Sequence, residues 1–367
     1  MTAGPAIARL LDDPLVRRSV AVLRDGQSGS GAFVASPSFP TYNYAWLRDG
    51  SFCAHALDVV GEEESAAAFH AWVARSIESH RALVESSIER LTDGDQPPPE
   101  DMPPARYTLD GARERSTQDD PWPNFQVDGY GMWLWALEEH LAGRMPDPSL
   151  RSTVDLVARY LEATWQLRCF NCWEEYDDGE HASTLAAVVA GLEAAGRLLG
   201  DSGPPAVAAQ VRARLVERFV SGGRFRRGPS DDRVDGSLVW LVVPFDVLPI
   251  DDARIVATLD AVRAELCGPG GGVYRYRGDS YYGGGQWLLL TSSLAWHEAV
   301  AGVRDSAAAR QAWVRGCASA DGALPEQVTD HAQDPGMIEP WERRWGPVAT
   351  PLLWSHAMFV IAEAACA

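Results

Sequence analysis

The sequence has no run of ~18 uncharged apolar residues, so no segment reads as a membrane-spanning helix. It also lacks clusters of basic residues. With 51 acidic against 32 basic side chains the formal net charge is −19, which argues against nucleic acid or an anionic membrane as partner and favours a neutral or cationic ligand. The opening Met1-Thr2-Ala3-Gly4-Pro5 shows no basic stretch followed by an apolar one, so a cytoplasmic location is expected.

Cysteine is sparse. Cys53, Cys169, Cys172, Cys267, Cys317 and Cys366 form no dense framework in 367 residues and read as reduced thiols. Cys169 and Cys172 make a lone CxxC with no second CxxC, His pair or βαβ setting, a poor signal for redox chemistry or zinc. Gly270 to Gly272 and Gly283 to Gly285 lack the Gly-Lys-Ser/Thr of a phosphate loop and read as tight turns that let backbone approach a ligand. No metal and no cofactor is expected. His181 and His331 read as ordinary loop residues.

What the chain does have is helical periodicity. Leu185, Val188, Val189, Leu192 and Leu199 share one face ahead of Gly200, and Val207, Val211, Leu215 and Phe219 repeat the pattern after Pro204 and Pro205. About twelve helices are predicted, starting near residues 5, 49, 63, 129, 150, 182, 204, 234, 251, 286, 306 and 350. Strand-like alternation is scarce, and Val273 to Tyr276 reads as a hairpin or loop fragment. Residues 93–123, with Pro97-Pro98-Pro99 and Pro103-Pro104, are too proline-rich for a helix and predict a long excursion over one end.

The chemically unusual residues cluster ahead of every second helix, at 42–49, 122–128, 173–178, 231–235, 275–287 and 326–351. If successive helices alternate in direction, all six clusters emerge at one end. That arrangement is an all-α (α/α)6 barrel, a toroid of six helical hairpins with long active-site loops at one end, and residues 1–367 are expected to form a single such domain. The clusters pair carboxylates with aromatic rings: Trp46, Arg48 and Asp49; Trp122 and Asp128; Trp173, Glu174 and Glu175; Arg275, Tyr276, Tyr281, Tyr282 and Trp287; Glu326, Trp341 and Trp345. A pyranose suits them, since its C–H faces stack on rings while its hydroxyls take planar donors and acceptors from Arg and Asp. Cleavage by inversion needs a protonated acid and a carboxylate base ~6.5–9.5 Å apart. Glu174 beside Trp173 is expected to be desolvated and protonated, and Glu326 to stay ionised with the amide of Gln327 nearby.

From Tyr42 to Met358 the motifs resemble glycoside hydrolase family 15, the glucoamylase and glucodextranase family. Tyr42-Asn43-Tyr44-Ala45-Trp46-Leu47-Arg48-Asp49 is similar to its Tyr-x-x-x-Trp-x-Arg-Asp signature, whose Arg and Asp hold the terminal glucose. Trp122 and Asp128 resemble the tryptophan flanking the acid site and the aspartate opening an inner helix. Cys172-Trp173-Glu174-Glu175 resembles Leu-Trp-Glu-Glu, which implies Glu174 as general acid with Glu175 near the leaving group. Arg275-Tyr276, Asp279, Tyr281, Tyr282, Gly283, Gly284 and Trp287 resemble the substrate-binding arginine loop. Pro325-Glu326-Gln327 resembles the element carrying the general base, and Leu353-Trp354-Ser355-His356 the start of the last helix.

The resemblance implies an inverting exo-acting enzyme that releases β-glucose from the non-reducing ends of short α-glucosides. The sequence departs from the family where His356 replaces a tyrosine and in the insert Met337 to Trp345. It shows no room for an N-terminal β-sandwich domain and no starch-binding module, so a small oligosaccharide is the expected partner: isomaltose-type α-1,6 first, then maltose-type α-1,4, then trehalose. A sugar-binding barrel without turnover is the alternative of another class, and retention of both Glu174 and Glu326 argues against it.

Overall fold

Aspartates open several helices. The Asp13 carboxylate accepts the N–H groups of Leu15 (2.8 Å) and Val16 (3.0 Å), and Asp147 and Asp252 cap two later helices in the same way. The computed structural model describes residues 5–114, 122, 124–176 and 179–367. Among them are α1 (Pro5–Leu11), α2 (Pro14–Asp25), α3 (Leu47–Val59), α4 (Glu63–Ser79), α5 (Arg81–Thr92), α6 (Asp128–Leu141) and α7 (Pro148–Thr164). There follow α8 (Ala182–Leu199), α9 (Gly203–Phe219), α10 (Ala253–Leu266), α11 (Leu288–Val300), α12 (Arg304–Gly316), α13 (Ile338–Trp345) and α14 (Leu353–Cys366).

The predicted helix starts hold with four exceptions. The first segment is two helices, because Asp13 caps a new one inside the apolar pattern. A separate α5 follows the break at His80. The element near 234 is a 3₁₀ run, Gly236–Leu241, not an α-helix. Val239, Val242 and Val243 are β-branched and Pro244 disfavours helical backbone at the residue before it, so the turn does not propagate. The insert carries α13, where no helix is expected from the sequence.

Six inner elements close a ring. α3 packs on α6, α6 on α8, α8 on the 3₁₀ run, that run on α11, α11 on α14, and α14 back on α3. Outside them α4 lies on α3 and α6, α7 and α9 on α8, α10 on the 3₁₀ run, α12 on α11 and α14, and α2 on α14. This is the (α/α)6 barrel. α8 is long and apolar enough to cross a membrane, yet 89% of it is buried as an inner stave. α6 and α8 meet at Gly131 and Gly191, where a Cβ on Gly191 would stand 2.5 Å from the Gly131 Cα, so side chains at either position would push the staves apart.

Rings fill the bore: Phe52 stacks on Trp354 at 5.5 Å, and Trp240 lies 5.5 Å from Trp354. This plug is the floor on which the loops at one mouth are built. Three short antiparallel strands, Val273–Tyr274, Gln286–Trp287 and Gln327–Val328, bring the arginine loop beside Glu326. Ala45 and Trp46 pair with Tyr107 and Arg106, tying the proline-rich excursion to the mouth. Of that excursion, residues 115–121 and 123 lie outside the described residues, as do Asp177 and Asp178 of the 173–178 cluster.

Candidate active site

The N-terminal ends of the inner helices surround a cavity of about 270 Å³, slightly below the ~300–1,000 Å³ of typical small-molecule sites. Of the residues expected from the sequence, Tyr42, Trp46, Arg48, Asp49, Trp122, Trp173, Glu174, Glu175, Arg275, Tyr281, Trp287 and Glu326 line it. Asp128 and Tyr276 do not. Asp128 sits behind the wall and takes the Arg48 Nη1 hydrogen bond at 3.1 Å, while the Tyr276 hydroxyl donates to Glu175 Oε2 at 2.6 Å. Both hold residues that face the cavity. The 231–235 cluster is also a support: Asp235 accepts Trp173 Nε1 at 3.1 Å and pairs with Arg227 Nε at 3.3 Å.

Glu174 sits on a turn held by its neighbour. The Asn171 side-chain oxygen accepts the N–H of Trp173 (3.0 Å) and of Glu175 (2.9 Å), and its backbone carbonyl accepts that of Glu174 (2.9 Å). The turn places Glu174 at φ 63°, an unusual left-handed backbone for a residue with a side chain. Its Oε1 accepts Trp46 Nε1 at 2.6 Å and Gln126 Nε2 at 3.1 Å, with Arg48 Nη2 at 3.8 Å. All three contacts converge on one oxygen. Oε2 takes no hydrogen bond from the described residues, and Glu174 lines the cavity.

Glu326 shows the same division. Oε1 accepts the Tyr42 hydroxyl at 3.1 Å, and that hydroxyl lies 2.8 Å from the hydroxyl of Tyr281. Oε2 is buried and has no hydrogen-bond partner in the protein. Burial pushes the Glu326 carboxyl up to about 8, against the pull of the Arg275 charge and the Tyr42 and Tyr281 hydroxyls. This corrects the expectation that Glu326 stays ionised beside the Gln327 amide. That amide is engaged elsewhere, accepting Gly285 N–H at 2.8 Å and donating to the Tyr281 carbonyl at 3.3 Å. Behind Glu326, the His356 ring nitrogen Nε2 accepts Leu324 N–H at 3.0 Å, and Nδ1 lies 2.9 Å from the Ser19 hydroxyl. His356 therefore steadies the segment leading to Glu326.

Around these two carboxyls the wall alternates charge and ring. Asp49, next to Arg48 (Nε to Oδ2 3.6 Å), is pushed by burial up to about 7, and its Oδ2 has no hydrogen-bond partner in the protein. Trp287 Nε1 and Trp354 Nε1 likewise have none. Arg275 is locked on Asp279 by two hydrogen bonds, 2.7 and 2.5 Å, and reaches Glu175 Oε1 at 3.2 Å. Unpaired buried polar atoms are unfavourable, so a wall carrying several of them suits a ligand rich in hydroxyls.

A family model described as Glycosyl hydrolases family 15 matches residues 18–363. This chain belongs to that family. As a family 15 glycoside hydrolase it is 41% identical over 363 residues to an isomaltose glucohydrolase of Kribbella flavida, covering 97% of this chain and 92% of that one. A solved wild-type glycosidase superposes with a TM-score of 0.91 at 40% identity, covering 98% of this chain and 97% of that one. A glutamate-to-alanine variant of a glycosidase, solved with glucose bound, matches with the same figures. A bacterial glucoamylase complexed with acarbose shares the fold, with a TM-score of 0.75 at 20% identity over 99% of this chain and 56% of that one.

Gln126 and Arg344 escape the sequence reading of this hydrolase site, as does the place of Trp354 on its floor, whereas Trp341 and Trp345 are among the rings expected from the sequence. Gln126 links Arg48 (2.6 Å) to Glu174. Trp354, on the cavity floor, lies 5.7 Å beneath the Arg48 guanidinium. From the insert, α13 brings Trp341, Arg344 and Trp345 to the rim, with Trp345 6.1 Å from Trp122 and Trp341 5.1 Å from Tyr281. The CxxC is structural: both thiols are free and buried, and Cys172 lies 3.6 Å from the Ser183 hydroxyl. His181 Nε2 lies 2.9 Å from the Cys169 carbonyl and 3.0 Å from that of Tyr176, holding the loop. His331 only lends its carbonyl to Tyr274. The 283–285 glycines let the chain's own backbone come close, since a Cβ on Gly283 would stand 2.8 Å from the Asp334 carbonyl oxygen.

Proposed function

We propose that this family 15 enzyme is an inverting, exo-acting α-glucoside glucohydrolase that releases β-glucose from short α-1,6 glucosides of the isomaltose type. The observation that carries the reading is the shared division of labour at Glu174 and Glu326. Both line the same cavity, and each has one oxygen held by the protein while its second oxygen takes no hydrogen bond from the described residues. In the proposed reaction Glu174 Oε2 delivers its proton to the glycosidic oxygen, because Trp46, Gln126 and Arg48 already occupy Oε1. Glu326 Oε2 takes a proton from the water that attacks the anomeric carbon from the opposite face. The bond to the leaving sugar breaks as the new C–O bond forms, which inverts the anomeric centre.

Arg48 and Asp49 would hold the hydroxyls of the terminal glucose, and Glu175 with Arg275 would lie towards the leaving sugar. The α13 rings close the rim around a short ligand. The preference for isomaltose is supported by the activity for which the Kribbella flavida relative is named. Trehalases of mycobacteria are more remote, one of them 26% identical over 64% of this chain. We place the enzyme in the cytoplasm as a single catalytic domain acting on an imported oligosaccharide, a setting that suits its six free thiols.

Rates on isomaltose, maltose, their longer homologues and trehalose test the proposal, with isomaltose expected to give the highest kcat/KM. A higher kcat/KM on maltose or trehalose would reassign the linkage. Binding without glucose release after long incubation would reduce the protein to a sugar-binding barrel.

A further inference from the structure

The end of the barrel away from the cavity carries a second group of titratable side chains. α3 and α6 start at the cavity, so their last turns lie at the far end. Asp58 stands in the last turn of α3 and His140 in that of α6, while His70 projects from α4. One donor atom from each lies within 4.8 Å of the other two. His140 Nδ1 is 2.9 and 3.1 Å from the two oxygens of Asp58. The His70 ring lies 4.9 Å from that of His140, and the residue is 3% exposed. Neither His70 ring nitrogen has a hydrogen-bond partner in the protein.

That last feature singles the group out. A neutral imidazole carries one donor and one acceptor, and an interior position that satisfies neither is unfavourable unless something else does so. Both nitrogens stay unpaired although a carboxylate and a second imidazole stand beside the ring. Burial, reinforced by the neighbouring His140 and His55, holds the His70 imidazole well below its ordinary range, so it is neutral and its lone pair is available at neutral pH. Asp58 and His140 keep side-chain exposures of 16% and 9%, which gives an ion a path from solvent.

We propose that Asp58, His70 and His140 form a divalent-cation site of the zinc class that ties α3, α4 and α6 together at the end of the barrel remote from the sugar cavity. Two imidazole nitrogens and one carboxylate oxygen suit a borderline ion such as Zn²⁺, with water completing a tetrahedron. Mg²⁺ and Ca²⁺ are disfavoured because they require about six or more oxygen donors. Zinc at ~2.0–2.1 Å from each ligand sets the donors roughly 3.3 Å apart, so the His140–Asp58 pair at 2.9 Å opens slightly while the three donors, now within 4.8 Å of one another, draw together. The expected role is mechanical: two staves and the outer helix packed on them gain a cross-link at the end away from the cavity.

Calorimetric titration of the chelator-treated protein with ZnCl₂, and separately with MgCl₂, tests the site. Uptake of one equivalent of Zn²⁺ at micromolar concentration is expected, with no response to Mg²⁺ and with a rise in Tm of several degrees in excess zinc. Loaded with Co²⁺, the protein should show ligand-field absorption without a sulfur-to-metal charge-transfer band, which separates this site from the six thiols. His70→Phe and Asp58→Asn should each abolish the equivalent while the far-ultraviolet circular dichroism stays unchanged. Asp58 is the more peripheral of the two, so its variant keeps the test open if His70→Phe fails to fold. No stoichiometric uptake by the wild type, uptake undiminished in Asp58→Asn, a thiolate band with Co²⁺, or preference for Mg²⁺ would each overturn the proposal.

Discussion

Removing a single hydroxyl separates the roles of the two glutamates. The Tyr42 hydroxyl donates to Glu326 Oε1 at 3.1 Å, a bond worth more to the ionised carboxylate than to the neutral acid. Hydrogen bonds to charged groups contribute about 1.5–3 kcal/mol, and the low end applies here. The bond is long against the ~2.5–2.7 Å of strong O–H···O⁻ contacts. The Tyr281 hydroxyl, 2.8 Å from that of Tyr42, also pulls the Glu326 carboxyl down and remains after the change. Dividing ~1.5 kcal/mol by ~1.36 kcal/mol per unit gives a rise of about one pH unit in Tyr42→Phe.

The sign follows from the base having to be ionised. With Glu326 pushed up to about 8 in the free enzyme, the base form at pH 7 is roughly one molecule in ten, and in Tyr42→Phe roughly one in a hundred. The pH profile of kcat/KM, which reports the free enzyme, should therefore climb with pH through the neutral range in the wild type. In the variant its acid limb should lie about one unit higher, with about tenfold less activity on that limb beyond any loss shared by all pH values. An acid limb that stays in place, or moves to lower pH, would remove Glu326 from the role of base and favour the reverse assignment.

Glu174→Gln and Glu326→Gln should each lower turnover by about 10²–10⁴-fold with unchanged Tm; wild-type rates in either variant would take that residue out of the chemistry. Proton NMR of freshly released glucose should show the β-anomer first, and an initial α-anomer would indicate a retaining arrangement. In the fold, Gly131→Ala drives a methyl into the Ala187 backbone carbonyl of α8. Overpacking of this kind costs about 1–3 kcal/mol, and at ~2.1 cal/mol/K per residue this corresponds to a loss of about 1–4 °C in Tm. A Tm at or above that of the wild type would mean that the two staves can part there without cost.

The ring of staves was readable because each functional cluster abuts the start of an inner element. Arg48 and Asp49 lie in the first turn of α3, Asp128 opens α6, and Trp287 immediately precedes α11. A helix start is a local signal, so the clusters and the alternation appear together. What stayed hidden depends on tertiary contact. α13 spans eight residues with an exposed Arg343–Glu339 pair, and its docked face is Trp341 and Trp345 against Tyr281. Gln126 is an unremarkable amide until Glu174, 48 residues on, and Arg48, 78 residues back, close on it. Asp58, His70 and His140 have no ligand-like spacing at all. The raised Glu326 carboxyl is of the same kind, because no sequence neighbour accounts for it and burial does.

The chain contains no lysine, so all 32 of its cationic side chains are arginine. At the cavity this matters. Arg48 touches Gln126, Asp128, Asp49 and Glu174 at once, and Arg275 holds Asp279 with two nitrogens while reaching Glu175. A planar fork can serve several carboxylates in fixed directions, which a lysine point charge cannot. The inner helices add to the effect: their N-termini face the same carboxylates and favour negative charge there. A strongly acidic chain can therefore concentrate five carboxylates, at Asp49, Asp128, Glu174, Glu175 and Asp279, around one cavity mouth. Glu326 receives less of this. Arg275 acts on it only as a charge, and its direct donors are neutral hydroxyls. Its carboxyl is raised by a burial that only the Arg275 charge and two hydroxyls oppose, so the acid limb of the pH profile should follow Glu326.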